Sequence, residues 1–195
     1  NKLGNSKQRL VFYEDLISNY SGYSTTIQAI LNNKKRFKGL HGTLGDLIEV
    51  DTKYFRAIET VLADFSNYLV VKSKADLHSI IAWMKENRIN NQIGVIVLDL
   101  ILPEKNKNIT IESAVSASTV IKSNKYMQNL ITLLFGDVFI VNEKIDINRL
   151  NKKRSYNCVD LDGKFISKNL FFKSSARKDK VTSIGKKTII KNIKN

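Results

Sequence analysis

Residues 53–71 read KYFRAIETVLADFSNYLVV, and residues 125–141 read KYMQNLITLLFGDVFIV. In each stretch a Lys-Tyr pair opens an apolar pattern with helical spacing, and the pattern runs into a short apolar strand. The two starts are 72 residues apart and the strand ends are 70 apart, which a two-residue length difference between helix and strand explains. A repeated helix–strand order at this spacing indicates two related α/β subdomains.

Outside the repeat, apolar periodicity and turn residues predict further helices and strands. The apolar run 93–102 is interpreted as a buried strand, and Asp162-Gly163 is a hairpin signal. This mixed order predicts an α+β fold. The further predicted elements are a helix at about 76–87, a strand at about 93–98, a linker at 103–108, and strands at about 157–161 and 164–172.

Both ends of the chain carry short amphipathic patterns. Leu3, Leu10 and Ile17 recur every seven residues, with Tyr13 and Tyr20 at the complementary positions. The C-terminal pattern contains Val181, Ile184, Thr188, Ile189 and Ile193. We interpret these helices as an antiparallel coiled-coil stub of a longer protein; the alternative is two ordinary terminal helices packed on the core. The predicted boundaries are 1–20 for the first stub, 21–103 for subdomain I, 104–176 for subdomain II and 177–195 for the second stub.

The composition is that of a folded protein. Apolar residues make up 43% of the 195 residues, and no stretch approaches the roughly 20 apolar residues of a membrane span. A secretory signal is not visible, and the single cysteine, Cys158, cannot form an internal disulfide. These features predict a cytoplasmic protein.

The net charge of +14 is unevenly placed. Residues 1–45 carry +5, residues 46–150 carry −1, and residues 151–195 carry +10. Basic flanks favour a polyanionic partner, with nucleic acid ahead of anionic lipid, although the lysine-rich composition of an AT-rich genome is an alternative cause. Lysine contacts with phosphate carry no base information, so such binding would be independent of sequence. The candidate DNA-binding residues are Lys34, Lys35, Arg36, Lys38, Lys173, Arg177, Lys178, Lys180, Lys186 and Lys187.

Catalytic and cofactor motifs are not recognisable. His41, His78 and Cys158 lack the spacing of a zinc site, and Cys158 is expected to be a packed thiol. The glycine-rich stretch 39–45 lacks the Lys-Ser/Thr of a phosphate loop, and Gly185-Lys-Lys-Thr188 lacks its upstream glycine. The acidic side chains of Asp46, Glu49 and Asp51 are of the kind that caps helices or faces water. We therefore predict no enzyme activity, metal or cofactor in this chain.

Several segments, in chain order, resemble the hinge domain of bacterial SMC (structural maintenance of chromosomes) proteins. Three segments are similar to the first half of that domain: 20–31, Gly39-Leu-His-Gly-Thr-Leu-Gly-Asp-Leu-Ile48, and 50–59. Phe135-Gly-Asp-Val138, Asp160-Leu-Asp-Gly163 and 181–188 resemble later parts of it. The glycines within these motifs, which we expect to be structural, are Gly39, Gly42, Gly45, Gly136 and Gly163.

The resemblance implies a dimerisation hinge. In the family a subdomain of one protomer meets the other subdomain of its partner, antiparallel arms lead to distant ATPase heads, and weak DNA binding occurs near the hinge–arm junction. It therefore implies a homodimer, DNA as a second partner, association with the nucleoid, and contacts with other subunits only through the heads. The corresponding interface residues are Leu170, Phe171, Phe172, Ser174 and Ser175.

The chain departs from the family at Ser174-Ser175, where a Gly-Gly pair is usual. Serine adds a side chain where glycine permits close backbone approach, so we expect a weaker or differently packed dimer, with Leu170 and Phe172 supplying apolar burial. Phe171 and Phe172 could instead stack on bases. Two other hypotheses stay open: a stand-alone basic nucleic-acid-binding domain, and an enzyme acting on nucleic acid or phosphate.

Overall fold

The computed structural model describes residues 11, 20, 22–103, 111, 114–142, 156–168 and 172–173. The helices are α1 (Thr25–Asn32), α2 (Leu44–Leu47), α3 (Phe55–Leu62), α4 (Lys74–Glu86) and α5 (Gln128–Phe135). The strands are β1 (Leu40–Thr43), β2 (Ile48–Val50), β3 (Leu69–Val71), β4 (Val95–Val97), β5 (Ala114–Ser116), β6 (Ile121–Ser123), β7 (Val138–Val141), β8 (Asn157–Asp160), β9 (Phe165–Ile166) and β10 (Phe172–Lys173). The predicted terminal coiled-coil helices and the linker after Pro103 lie outside these residues, apart from the isolated positions 11 and 20.

The strands form three sheets. One has the order β1-β3-β4, and another has the order β10-β9-β8-β7-β5. In the first of these sheets, β3 pairs antiparallel with β1 and parallel with β4. In the second, β7 pairs antiparallel with β5 and parallel with β8. The third sheet is the antiparallel pair β2–β6, which places Glu49 opposite Lys122.

Part of the element order of the first half is seen again in the described residues of the second. In both halves the second strand is followed by a 3₁₀ turn, a helix and a strand. The 3₁₀ turns begin at Thr52 and Lys125, which are 73 residues apart. Glu49 and Lys122, which face each other in the β2–β6 pair, have the same separation.

A single apolar core spans both halves. It contains Ile58 of α3 and Val70 of β3 from the first half, with Met127, Phe135 and Ile140 from the second. Ile58, Met127 and Phe135 are completely buried. A second core lies between α1, α4 and the β1-β3-β4 sheet and includes Ile30, Ile80 and Trp83. The two halves are thus packed as one body.

Three predicted boundaries are wrong. The helical pattern of residues 54–65 ends at Leu62, because Ala63 has a φ of 44°, which an α-helix cannot contain. The predicted strand over 164–172 is two antiparallel strands, β9 and β10. The predicted buried strand over 93–98 is shorter, and β4 ends at Val97 with a 3₁₀ turn.

Helix α4 begins at a capping box. The Ser73 Oγ accepts from the Asp76 backbone N at 3.3 Å, and the Asp76 carboxylate accepts from the Ser73 backbone N at 3.0 Å. Two backbone N–H groups that lack helical partners are therefore bonded, which fixes where the helix starts.

We expect Ser73→Ala to lower the free energy of unfolding by about 1 kcal/mol, because it removes one half of this box. Chemical denaturation measures the change. The matched control is Ser79→Ala in the same helix, since the exposed Ser79 hydroxyl only donates to the Ala75 carbonyl at 2.9 Å. That control should change the free energy by less than about 0.5 kcal/mol. Equal losses in the two variants would contradict the capping role.

Candidate association edges and basic surface

The outer strand of the five-stranded sheet carries an exposed aromatic side chain. β10 pairs only with β9 among the described strands, and its other edge is open. Phe172 on this strand is 50% exposed. An open edge presents unpaired backbone N–H and C=O groups, so it is a template for strand addition. Of the interface residues predicted from the family, Phe172 is the one described; Leu170, Phe171, Ser174 and Ser175 lie outside the described residues.

The outer strand of the three-stranded sheet is followed by a second exposed apolar segment. β4 lies at an edge of that sheet, and the chain turns through Leu98–Leu100 directly after it. Leu100 is 52% exposed and Leu102 is 79% exposed. The sequence pattern had suggested that the whole run 93–102 is buried, which is wrong beyond Val97. Leu100 and Leu102 were missed as site residues; the only signal for them was an apolar run longer than one strand.

The remaining sheet edges lack such side chains. β1 is almost wholly buried, and β5 carries no large exposed apolar residue. Exposed apolar groups beside an open backbone edge therefore mark two of the four outer strands of the two larger sheets, one in each half of the chain.

A polar network fixes the end of β9, close to β10 in the chain. The Asn157 amide donates to the Asp137 carboxylate at 2.9 Å, and the Asn157 carbonyl oxygen accepts from the Lys168 backbone N at 2.9 Å. Lys168 Nζ lies 2.9 Å from the other Asp137 oxygen. Asp137 precedes β7, Asn157 begins β8, and Lys168 follows β9, so three neighbouring strands are tied together at one end of the sheet.

The first predicted basic cluster lies on the 3₁₀ turn Lys34–Arg36 and just after it. Lys34, Lys35, Arg36 and Lys38 are all exposed. Lys34 Nζ donates to the His41 carbonyl, and Arg36 forms a 3.0 Å ion pair with Glu86. Lys35 and Lys38 make no ion pair with a described residue. The turn thus presents cations that are close in space, two of them held by local contacts.

His41 connects this cluster to the second half of the chain. Its ring stacks on Tyr126 with centroids 4.4 Å apart. Burial, followed by the nearby Lys34 ammonium, lowers the pKa of His41 below its usual value. The imidazole is therefore neutral near pH 7, and the positive charge of this surface comes from the lysines and arginine.

The second predicted basic cluster is described only at Lys173. This residue lies in β10, and its Nζ is 5.7 Å from the centre of the Phe165 ring. Arg177, Lys178, Lys180, Lys186 and Lys187 lie outside the described residues. Whether the two clusters approach each other stays a prediction.

Four of the five predicted structural glycines have a clear geometric reason. A Cβ atom added to Gly39 would lie 2.1 Å from the Asp76 carboxyl group of the α4 capping box. Gly163 has a φ of 85° in the turn between β8 and β9, a conformation that glycine adopts without strain. Gly42 in β1 has a φ of 146°, and a Cβ added to Gly136 at the end of α5 would lie 2.5 Å from the Thr132 carbonyl oxygen. Gly45 is buried in α2. The sequence reading missed Gly94, where a Cβ would lie 2.3 Å from the Tyr68 ring.

The acidic residues of 46–51 have structural contacts. The Asp46 carboxylate accepts from the hydroxyl of Tyr23 at 2.8 Å and from that of Thr43 at 2.9 Å. Burial, followed by the nearby Asp46 charge, raises the pKa of Tyr23. Asp51 accepts from the Lys53 backbone N at 3.2 Å, and Glu49 is exposed. Their roles in capping and buried hydrogen bonding leave no paired carboxylates for acid–base work.

The other candidate chemical groups lie on separate elements. Cys158 is buried in β8, and His78 is exposed on α4. Within the part of the chain that the structure describes, no group of three or more His, Cys, Asp or Glu could hold a metal ion. Nor is any described helix long and apolar enough to cross a bilayer.

Residues 37–144 match the family model of the SMC proteins flexible hinge domain. This match covers more than half of the chain, and the chain therefore belongs to the SMC hinge family. The hinge domain is a non-catalytic region of SMC proteins.

Individual relatives agree with this family. The chain is 30% identical over 155 residues to the chromosome partition protein Smc of Fusobacterium nucleatum, covering 76% of this chain and 13% of that protein. Over 167 residues it is 26% identical to the chromosome partition protein Smc of Halothermothrix orenii, covering 81% of this chain and 14% of that protein. The chain thus spans about one seventh of the length of these relatives.

Solved hinge structures share the fold. The Geobacillus stearothermophilus SMC hinge, an asymmetric dimer, gives a TM-score of 0.80 at 22% identity and covers 98% of this chain and 80% of its own. The Pyrococcus furiosus SMC hinge gives a TM-score of 0.65 at 22% identity, covering 90% of this chain and 93% of its own.

Proposed function

We propose that this chain is the homodimerisation hinge of a longer SMC protein, and that β10 of each protomer meets β4 of its partner. The observation that carries the proposal is the occurrence of exposed apolar side chains beside two open strand edges, one per half: Phe172 on β10 and Leu100 and Leu102 after β4. Strand addition supplies backbone hydrogen bonds, and the apolar side chains supply burial.

A twofold axis closes this assembly at two protomers. Each protomer offers one edge of each kind, so two protomers related by a twofold axis form two identical contacts and leave neither edge free. Removal of both edges from solvent also removes the hazard of open-ended association. The dimer of the Geobacillus stearothermophilus hinge is consistent with self-association in this fold.

We further propose that the two edges belong to two pseudo-repeated subdomains, 21–103 and 104–176, bracketed by coiled-coil helices at 1–20 and 177–195. The recurring order of elements, the recurring strand pairing and the β2–β6 pair between equivalent strands support the duplication. ATP hydrolysis, on this proposal, belongs to head domains elsewhere in a cytoplasmic, nucleoid-associated protein.

Sedimentation equilibrium at micromolar concentration tests the dimer. We expect a dimer whose dissociation constant does not depend on added DNA. A monomer over the whole accessible range would contradict the hinge proposal and would favour a stand-alone nucleic-acid-binding domain.

DNA binding is the second proposed function. It is supported by four exposed cations at 34–38 and by the excess positive charge of the C-terminal residues. Lys35 and Lys38 are the best-placed phosphate ligands, because neither is held by an ion pair with a described residue. Contacts of this kind are weak, independent of sequence and sensitive to salt.

We expect Lys35→Gln combined with Lys38→Gln to weaken binding to a short duplex and to flatten its salt dependence. If each lysine neutralises one phosphate, the log–log slope should fall by roughly 1.8. Fluorescence anisotropy across a salt series measures both effects.

The matched control is Lys53→Gln combined with Lys164→Gln, which removes the same charge from exposed positions outside the cluster. This control should leave the slope within about 0.5 of the wild type. Equal changes in both variants would show that net charge, and not the 34–38 surface, determines binding.

A further inference from the structure

The chain leaves α3 through a turn that places an aromatic side chain in solvent. Ile58 and Leu62 are buried on one face of α3, and Phe65 follows at the spacing of that face. A helix that continued to residue 65 would direct this side chain toward the core. Instead Ala63 has a φ of 44° and a ψ of −121°, and a 3₁₀ turn occupies Ala63–Asn67. As a result the Phe65 side chain is 45% exposed.

The turn is held in a conformation that is unfavourable for alanine. A positive φ at a residue with a Cβ costs free energy, and it persists only where the surrounding structure stabilises it. Here the Ser66 hydroxyl donates to the Ala63 carbonyl at 2.9 Å, and Ser66 is buried. Exposure of the Phe65 ring gives a single protomer no stabilisation, whereas a partner that covers the ring gains apolar burial.

The Phe65 ring is continuous with the open edge of β4. Its centroid lies 4.9 Å from that of the Tyr68 ring, with the two planes tilted by 53°. Tyr68 packs directly on Gly94, the residue before β4, where an added Cβ would lie 2.3 Å from the ring. The Leu69 backbone N donates to the Gly94 carbonyl at 3.0 Å, which fixes Gly94 beside β3. We call Phe65 and Tyr68 the aromatic pair.

A strand added to β4 would pass beside the aromatic pair. Neighbouring strands lie about 5 Å apart, so a strand paired with Val95–Val97 runs next to the Gly94 backbone and the ring packed on it. Val95 and Ile96 are only partly buried, although each contacts one of the two cores. The side chains of β4 are therefore incompletely covered, and the aromatic pair lies at the opposite end of this strand from the segment 98–102.

We propose that Phe65 and Tyr68 contact the partner subunit in the dimer, and that their rings pack against the β10 strand that pairs with β4. The inference rests on the proposed function, since it assumes that β4 is an association edge. The occupant is a second copy of this chain, because its complementary edge carries the exposed ring of Phe172 and aromatic side chains pack favourably on one another. Apolar groups at both ends of β4 also favour one register of the partner strand.

Phe65→Asp tests the contact. We expect the dissociation constant of the dimer to rise about tenfold, which corresponds to roughly 1.4 kcal/mol, because the carboxylate loses hydration at the interface. Phe65→Leu, which keeps an apolar side chain without the ring, should raise it about threefold. The matched control is Leu133→Asp, since Leu133 is also 45% exposed but lies on α5. Sedimentation equilibrium should give the wild-type dissociation constant for this control.

Mixed dimers test whether Phe65 acts on the β4 side of the contact. A mixture of Phe65→Asp with Phe172→Asp can form one contact from two unaltered edges, so it should associate more tightly than either variant alone. A mixture of Phe65→Asp with the variant that carries Leu100→Asp and Leu102→Asp has an altered β4 side in both contacts, so mixing should give no gain. The reverse pattern would place Phe65 on the β10 side and overturn the inference.

The outcomes separate this inference from the hinge proposal. If the wild type is monomeric, the hinge proposal fails. If the wild type is a dimer and both Phe65→Asp and Phe65→Leu keep its dissociation constant within about twofold, the contact by the aromatic pair is wrong and the hinge proposal stands. Urea denaturation at a concentration where the proteins are monomeric gives the stability of each variant. Losses of monomer stability that equal the losses of affinity would also overturn the contact.

Discussion

Leu100→Asp combined with Leu102→Asp should raise the dissociation constant of the homodimer roughly 100-fold, about 2.7 kcal/mol, while the monomer stays folded. Both side chains are exposed in the protomer, so their replacement removes little from the core. In the proposed dimer the same two side chains are buried beside β10 of the partner. Two carboxylates placed there would lose hydration without gaining a partner, which explains the size of the effect.

The control for this experiment is Ile81→Asp combined with Leu133→Asp. These residues are 38% and 45% exposed, respectively, and lie on helices rather than at strand edges. They test whether any loss of exposed apolar surface weakens association. Sedimentation equilibrium should show wild-type affinity for this control.

Mixing two variants tests the pairing of unlike edges. Phe172→Asp should also weaken the homodimer, because it alters the β10 side of the same contact. A mixture of this variant with the Leu100/Leu102 double variant can form one contact from two unaltered edges and one from two altered edges. We therefore expect the mixed dimer to be tighter than either homodimer, and no gain on mixing would refute pairing between β4 and β10.

Gly39→Ala should lower the free energy of unfolding by about 3 kcal/mol, the upper end of the range for overpacking. The new Cβ would lie 2.1 Å from the Asp76 carboxyl group, which is held by Ser73 and cannot swing away without breaking the capping box. One substitution would thus strain both the residue just before β1 and the start of α4. Urea denaturation measures the loss.

A double-mutant cycle with Asp76→Ala identifies the cause. Asp76→Ala alone should cost about 1 kcal/mol, because it removes half of a helix cap. In the Gly39→Ala background it should cost nothing or increase stability, since it removes the atoms that the new methyl group meets. Additive losses would show that Gly39 is required for a different reason.

The mixed helix and strand content, and the helix-then-strand order at 55–71 and 128–141, could be predicted from the sequence because they rest on local periodicity. The cap at Ser73 lies next to the helix predicted from apolar spacing, and the turn at Gly163 follows from an Asp-Gly pair. The end of α3 could not be predicted in the same way. An alanine at position 63 does not predict a positive φ, because the surrounding packing imposes this conformation.

The association edges were harder to predict for a physical reason. An apolar run indicates burial but does not distinguish the core of one chain from the interface between two, so 93–102 was assigned to a single strand. Likewise Asp137 and Lys168 are 31 residues apart, and their contact depends on sheet topology rather than on local pattern. Clusters of cations were visible in the sequence, but the ion pair of Arg36 with Glu86 was not.

The apolar core common to both halves has a consequence for how the proposed dimer loses its structure. Because Ile58 and Val70 pack in the same cluster as Phe135 and Ile140, the two halves share one interior and should melt in one transition. A folded subunit therefore presents both of the proposed association edges or neither. Heat or denaturant should accordingly yield separate unfolded chains rather than half-folded ones.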